Sequence, residues 1–385
     1  MINVSQPVLG AREAAAVQSV LSSLWVGMGP KVEAFESALA KRLGVRHVVA
    51  VSSGTAALHL ALAALKRDER DQVIVPSLTF AATVQAVLMA GYTPVFAEVD
   101  RRDLNIAADD VAGLITRRTR AILPVHLAGC PCRLAELGQL ADESGAALVE
   151  DAAHAFGSRY QGRPVGQHGD AVCFSFSANK NITCAEGGAV ATNSGELAAR
   201  VRTRRFLGLT QHTWERRGEE QPWRYAVTDR GYRYHMSDIH AAIGLVQLQR
   251  FDDFARKRRE IARRYDAALR DLPRTVILQR DWDLVVPNLY VLRVTHGLRD
   301  ALYAHLREAG IICGVHYAPN HLQPAFRVYT RSMPVTEGLA GEVLTLPLHP
   351  MLTAEQVSEI AARVRGFLLQ ATPAATETPA CPALG

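Results

Sequence analysis

No run of 18 apolar residues occurs anywhere in the 385-residue chain, so no segment reads as a membrane-spanning helix. The N-terminus, MINVSQPVLGARE, has no basic stretch followed by an apolar one, and no signal peptide is expected. Cysteine is scarce: there are six, and only Cys130 and Cys132 lie close together. Cys-Pro-Cys has neither the spacing of a zinc knuckle nor that of a redox Cys-x-x-Cys pair. No metal site is expected, and all six read as reduced thiols of a cytoplasmic protein. Charge of one sign is also in short supply, since 43 basic against 38 acidic residues leave a net charge of only +5. The densest basic stretch, ARKRREIARRYDAALR (255–270), carries helical periodicity and interspersed acids. It reads as a solvated helix face, so nucleic acid is not expected as a partner. No internal repeat is visible. What remains is an ordinary globular composition, 48% hydrophobic and 21% charged, long enough for two domains with sizeable cores.

The first two-thirds alternate short apolar runs with helical patterns. HVVAV (47–51) precedes a helix at 55–66, and QVIVP (72–76) precedes one near 80–90. TPVFAEV (93–99), RAILPVH (120–126), AALVED (146–151), AVCFSF (171–176) and GGAVATN (187–193) are further strand candidates. This alternation implies an α/β fold, a mostly parallel central sheet with helices on both faces. From Ser237, a candidate N-cap, the pattern changes to an apolar helix and then a charged one ending near 271. LYVLRV (289–294), a helix at 298–309, IICGVHY (311–317) and a helix at 353–369 make up a smaller C-terminal α+β domain. The expected division is therefore 1–250 for the large domain, 251–370 for the small one, and a Pro- and Ala-rich tail, 371–385, expected to be disordered.

Sites in such sheets lie beyond the strand ends. Ser53, Thr79, Asp151 and Lys180 all fall there. Lys180, in CFSFSANKNITCAEGG, reads as the amine that holds pyridoxal phosphate as a Schiff base. Asp151, in VEDAAHAFGS, reads as the carboxylate that keeps the cofactor's ring nitrogen protonated, by a charge-assisted pair. Lysine and aspartate together are the minimum equipment for that chemistry. Alone, Lys180 is an ordinary turn lysine and Asp151 a strand-end cap; the reading rests on their surroundings. Glu150 points the other way along the strand and is the lesser partner. In VSSGTAAL, a strand, a small polar turn and a helix follow one another, with Ser53, Gly54 and Thr55 at the helix start. That is a ready anion site, and equally a good helix cap. Ser175 offers another hydroxyl, and Phe80 an aromatic face for the ring.

SSGTAAL, VPSLTFAAT, EDAAHAFGS, SFSANKNITCAEGGAVATN and GYRYHMSDIHAAIGLVQL follow one another in the order and approximate spacing of one family. The chain resembles the DegT/DnrJ/EryC1/StrS family of pyridoxal-phosphate-dependent sugar aminotransferases, of the aspartate aminotransferase fold type, fold type I. WVGMGPKVEAFESALAKRLGV (25–45) and LPLHPMLTAEQV (346–357) extend the resemblance over about residues 1–368. It implies that Lys180 is the Schiff-base lysine and proton shuttle and that Asp151 pairs with the ring nitrogen. His154, Gln or His in relatives, packs near the cofactor's 3′-oxygen. Phe80 stacks on the ring, and Gly54, Thr55 and Ser175 hold the phosphate. His316, Tyr317 and His321 resemble residues of the sugar pocket, while Trp25 lies in a loop able to cover the entrance. Some relatives carry His in place of the lysine and are dehydratases; this chain keeps Lys180.

Two departures stand out. The family's Gly-Tyr-Asn-Tyr-Arg is Gly231-Tyr232-Arg233-Tyr234-His235 here. The third place reaches a neighbouring subunit's cofactor in relatives, so Arg233 is either a stronger phosphate clamp or a surface arginine. Cys130-Pro131-Cys132 replaces a more usual turn without a functional account. The resemblance further implies a homodimer with shared sites. It implies transfer of an amino group from L-glutamate to a keto group of a nucleotide-linked sugar, with a lean to 4-keto-deoxy sugars. A 3-keto sugar or keto-cyclitol, a dehydratase or epimerase, and a non-catalytic regulator that binds the cofactor or a sugar stay open.

Overall fold

The computed structural model describes residues 1–65, 68–218, 220–221 and 223–371. Twelve strands are β1 (His47–Val51), β2 (Gln72–Pro76), β3 (Thr93–Ala97), β4 (Thr119–Ile122), β5 (Ala147–Asp151), β6 (Arg159–Tyr160), β7 (Arg163–Pro164), β8 (Ala171–Ser175), β9 (Gly188–Thr192), β10 (Thr275–Ile277), β11 (Tyr290–Val294) and β12 (Val343–Leu346). The α-helices are α1 (Ala11–Ser22), α2 (Pro30–Leu43), α3 (Gly54–Ala63), α4 (Ala81–Met89), α5 (Ala108–Leu114), α6 (Leu134–Ser144), α7 (Gly195–Arg205), α8 (Asp238–Leu269), α9 (Arg299–Glu308), α10 (Pro334–Ala340) and α11 (Ala354–Gln370).

Seven strands form one sheet in the order β1-β9-β8-β5-β4-β2-β3. Only β9 runs against the others. The expected mostly parallel sheet is present, and the strand candidates of the first two-thirds coincide with its members. Strands β4, β5, β8 and β9 are buried at every position, as continuous apolar runs covered on both faces require. One face packs against α3, α4 and α7 through Leu60, Val84 and Val201. The other packs against α2 and the first half of α8 through Phe35, Phe174 and Phe251.

Local sequence sets the helix ends. Ser53 caps α3 by accepting the Ala56 N–H at 3.1 Å. Pro30 opens α2, and Gly44 closes it in the left-handed region at φ 67°. Thr353 and Gln356 form a capping box on α11. Ser237 caps α8, as expected. The apolar and charged stretches read from the sequence as successive helices are one continuous helix of 32 residues. Its core partners change along its length. Phe254 and Ala255 pack with the large sheet, whereas Ile261, Tyr265 and Leu269 pack with β11, β12, α9 and α11. The division expected at 250/251 thus falls inside a single helix. The N-terminus also reaches the neighbourhood of the three-stranded sheet β10-β11-β12, with Ile2 N–H donating to the Gly310 carbonyl and the Val4 carbonyl accepting from Leu348 N–H. Residues 311–317 form no strand; bridges at Ile2–Ile311 and Gly314–Thr345 hold that segment. Residues 372–385 of the expected tail lie outside the described residues. Among the described residues, no helix is long and apolar enough to cross a membrane.

Candidate active site

Parallel strands deliver their C-terminal ends to one edge of the sheet, and three of them carry chemistry. Asp151 is the last residue of β5 and is 5% exposed. The Ala153 N–H donates to its Oδ1 at 3.0 Å, and the Thr83 hydroxyl to its Oδ2 at 2.8 Å. Burial raises its pKa, opposed by these two bonds and by the Lys180 charge. Glu150, one residue earlier, faces the opposite side of the sheet as strand alternation dictates. There its Oε2 lies 2.8 Å from Nε2 of the buried His126.

Lys180 follows β8 in a tight turn, its N–H donating to the Ser177 carbonyl at 3.1 Å. Burial pushes its ammonium down to about 8, with the Asp151 carboxylate pulling the other way. The back of the turn is anchored. Arg258 of α8 donates to the carbonyls of Lys180, Pro287, Asn288 and Leu348 at 3.3–3.5 Å. Asn288 Nδ2 donates to the Asn179 carbonyl at 3.1 Å. Lysine 180 therefore has its charge disfavoured in front and its main chain held from behind.

The start of α3 faces the end of β8. A Cβ on Gly54 would stand 2.7 Å from that of Ser175, so this glycine is required by close approach. Ser53 spends its hydroxyl on the Ala56 N–H, while the N–H groups at Gly54 and Thr55 have no acceptor inside the helix. The outcome is an anion cradle of two helix N–H groups and the Thr55 and Ser175 hydroxyls.

Phe80 caps α4 and is 61% exposed, unusual for a phenylalanine. Its ring centroid lies 5.9 Å from that of Tyr317. The Tyr317 hydroxyl lies 3.2 Å from His154 Nε2, and the Ala128 N–H donates to His154 Nδ1 at 3.4 Å. Burial, with the Lys180 charge adding to it, holds His154 well below the usual imidazole range. It is neutral; with Nδ1 accepting, the ring proton resides on Nε2, facing Tyr317. His316 is pushed down to about 4 by the same two causes, and its Nδ1 lies 2.8 Å from Thr345 Oγ1.

Ten of the thirteen residues assigned a role from sequence line one cavity of about 360 Å³: Ser53, Gly54, Thr55, Phe80, Asp151, His154, Ser175, Lys180, His316 and Tyr317; Thr79, read only as a strand-end residue, lines it too. Three do not. His321 is fully buried, with Nδ1 2.7 Å from Ser77 Oγ and Nε2 3.2 Å from Glu337. The Asn320 N–H donates to the Ser77 carbonyl and pins that turn inward, so His321 is a core residue here, contrary to the expected pocket role. Trp25 packs on Trp214 with centroids 4.9 Å apart and donates to the Met28 carbonyl instead of covering this cavity. Arg233 is exposed and lies outside its own chain's cavity.

Sequence reasoning missed Thr83 and Glu186, which also line the cavity. Thr83 was detectable, since it stands one helical turn after Thr79, whereas nothing in the sequence marks Glu186. A larger groove of about 570 Å³, bordered by Leu43, Phe156 and Leu248, holds none of these residues.

The cavity thus brings together a buried amine, a buried carboxylate, an open aromatic face and an anion cradle. Among solved structures, TlmJ of Streptoalloteichus hindustanus, an aminotransferase, is 37% identical over 95% of this chain and 98% of its own, with a TM-score of 0.88. Helicobacter pylori PseC, an aminotransferase involved in pseudoaminic acid biosynthesis, is 31% identical over 94% and 98%, with a TM-score of 0.88. The PMP form of the putative sugar aminotransferase Spr1654 of Streptococcus pneumoniae is 30% identical over 95% and 98%, with a TM-score of 0.90. The model of the DegT/DnrJ/EryC1/StrS aminotransferase family matches residues 7–365, and the chain belongs to that family.

Proposed function

We propose that this sugar aminotransferase takes the amino group of L-glutamate and delivers it to a keto group of a nucleotide-linked sugar, a 4-keto-deoxy sugar by preference. The cofactor is pyridoxal phosphate, in keeping with the PLP and PMP forms of the pneumococcal relative. The residues present fit it. Lys180 would hold its carbonyl carbon, Asp151 its ring nitrogen, Phe80 its ring face, and Gly54, Thr55 and Ser175 its phosphate. When bound, the cofactor supplies an electron-withdrawing ring and a carbon that accepts and returns an amino group.

The chain's own residues do the rest. An amine near pKa 8 is neutral in roughly a tenth of molecules at neutral pH, whereas an ordinary lysine is neutral in fewer than about one in a thousand. Lys180 Nζ is thus able to take the proton from Cα of the amino donor and give it back on the return half of the cycle. An ionised Asp151 holds the proton on the ring nitrogen. Neutral His154 and Tyr317 form an uncharged polar wall suited to hydroxyls. The observation that carries the reading is Lys180 and Asp151 in one cavity, with burial lowering the lysine's proton affinity. The lean to a 4-keto sugar rests on the likeness of EDAAHAFG and of the Gly-Tyr-x-Tyr segment to enzymes of that kind.

Among the described residues lining the cavity, Lys180 is the sole lysine or arginine. With Lys180 placed at the carbonyl carbon, a phosphate dianion gains from a further cation, and the exposed Arg233 of a second copy would supply it. The enzyme is accordingly a homodimer, and its five free cysteines among the described residues suit the cytoplasm. Incubation with glutamate and a panel of nucleotide keto-sugars, followed by mass spectrometry and 2-oxoglutarate release, tests the reading. A product whose keto oxygen is replaced by a hydrogen and an amino group, formed in step with 2-oxoglutarate, is expected. Dehydrated or epimerised sugar without 2-oxoglutarate would refute it. A fully active monomer by light scattering would refute the shared site.

A further inference from the structure

We infer that Thr83, backed by Thr79, is a positioning residue that holds the Asp151 carboxylate ionised and in a fixed orientation for the cofactor's ring nitrogen. The inference rests on the assignment of Asp151 to that nitrogen and adds the device that makes Asp151 fit for it.

The geometry is a chain of hydroxyls. Thr83 Oγ1 lies 2.8 Å from Asp151 Oδ2, and Thr79 Oγ1 lies 2.9 Å from Thr83 Oγ1. An ionised carboxylate only accepts, so the Thr83 proton goes to Asp151 and the Thr79 proton goes to Thr83. Both threonines are nearly inaccessible, at 2% and 1% exposure, so bulk water does not compete. Hydrogen bonds in series polarise one another, which strengthens the terminal bond to the carboxylate.

A threonine early in a helix ordinarily turns its hydroxyl to the carbonyl one turn back. That carbonyl, of Thr79, instead accepts from Asn320 Nδ2 at 2.6 Å. Asn320 also bonds the Ser77 carbonyl at 3.0 Å, so the start of α4 is fastened to the segment that carries Tyr317. The hydroxyl is thereby left for Asp151.

The need for such a donor follows from burial, which favours the neutral acid. A neutral Asp151 cannot pair with a protonated ring nitrogen. The titratable groups facing Asp151 are Lys180 from the turn after β8, His126 from the loop after β4, Cys173 of β8 and Tyr317. His126 is already engaged by Glu150, and Lys180 is no cation whenever its amine is neutral. Two hydrogen bonds remain: the Ala153 N–H, which the main chain fixes, and the Thr83 hydroxyl, which a side chain supplies.

The test uses the holoenzyme in three variants, T83V, T83S and D151A. T83V keeps the shape and deletes the donor. Its kcat should fall about tenfold, with KM for glutamate changed by less than about twofold. The acidic limb of its kcat profile should move to higher pH, because a carboxylate deprived of a donor holds its proton more tightly. In the apoprotein, the Asp151 carboxylate band by infrared difference spectroscopy should titrate at higher pH in T83V than in wild type. T83S should restore both midpoints. Unmoved midpoints in T83V, even with lowered kcat or stability, would overturn the inference and make Thr83 structural. Near-normal turnover by D151A would instead remove Asp151 from its role, and this inference with it.

Discussion

The seven-stranded sheet and the smaller C-terminal region supply walls of the same cavity by different means. In the seven-stranded sheet, direction is shared, so the ends of β5 and β8 and the turn after β1 must converge, and with them Asp151, Ser175 and the Ser53–Thr55 turn. In the smaller region, Tyr317 and His316 lie on a segment held by two isolated bridges and no strand. Two histidines five residues apart then part company: His316 faces the cavity, and His321 enters the core beside Ser77. Topology places a residue reliably at the end of a parallel strand, whereas an irregular segment gets its directions from whichever partners pin it. Lys180 belongs to both regions, for its amine faces the large sheet's cavity and its carbonyl is held by Arg258.

The largest effect should come from Lys180. Lys180→Ala should lower transamination by at least ~10³-fold, measured as 2-oxoglutarate release, because the proposed general acid–base group and point of attachment would both be lost. In cofactor-free protein the same lysine should cost stability. Its pKa is near 8 when folded against an ordinary value of 10.5, so the unfolded chain binds more protons between those pH values. Stability of the apoprotein should therefore rise with pH across that window, and apo Lys180→Met should lack the rise in urea titrations.

Arg258 tests the shared turn. It is buried, its acceptors are main-chain carbonyls, and burial pulls its pKa down to about 10. Arg258→Met should cost about 2–4 kcal/mol by urea unfolding, since several buried carbonyls lose their donor. It should also weaken cofactor binding, read by equilibrium dialysis. Undiminished cofactor affinity would mean that the small region merely packs against the lysine turn.

The smallest effects sharpen the contrast within the irregular segment. His321→Ala should lower stability by about 1–3 kcal/mol and leave KM for the sugar within about twofold. Tyr317→Phe should do the reverse, keeping stability within about 1 kcal/mol while raising KM for the sugar several-fold. A sugar-specific KM effect in His321→Ala would return that histidine to the pocket.

Much of the sheet and half of the cavity were legible in the chain. Apolar runs such as AALVED and AVCFSF have to be covered strands, and Asp151 and Ser175 lie at their C-terminal ends, so sheet topology carries them to one edge. Continuity of α8 was not legible, because a helix that changes its core between Ala255 and Ile261 looks in sequence like two. Thr83 carried one faint mark, its place one helical turn after Thr79, because a single hydroxyl in an apolar helix leaves no periodic trace.

The sequence by itself determined the alternating fold, which follows from hydrophobic period, and the family, which follows from the order and spacing of its motifs. Only the tertiary structure decided which of His316 and His321 meets the cavity, what holds the Lys180 turn from behind, and that a threonine hydroxyl feeds Asp151. Those are contacts between residues 68 to 244 positions apart in the chain, and burial, not local propensity, sets their energy.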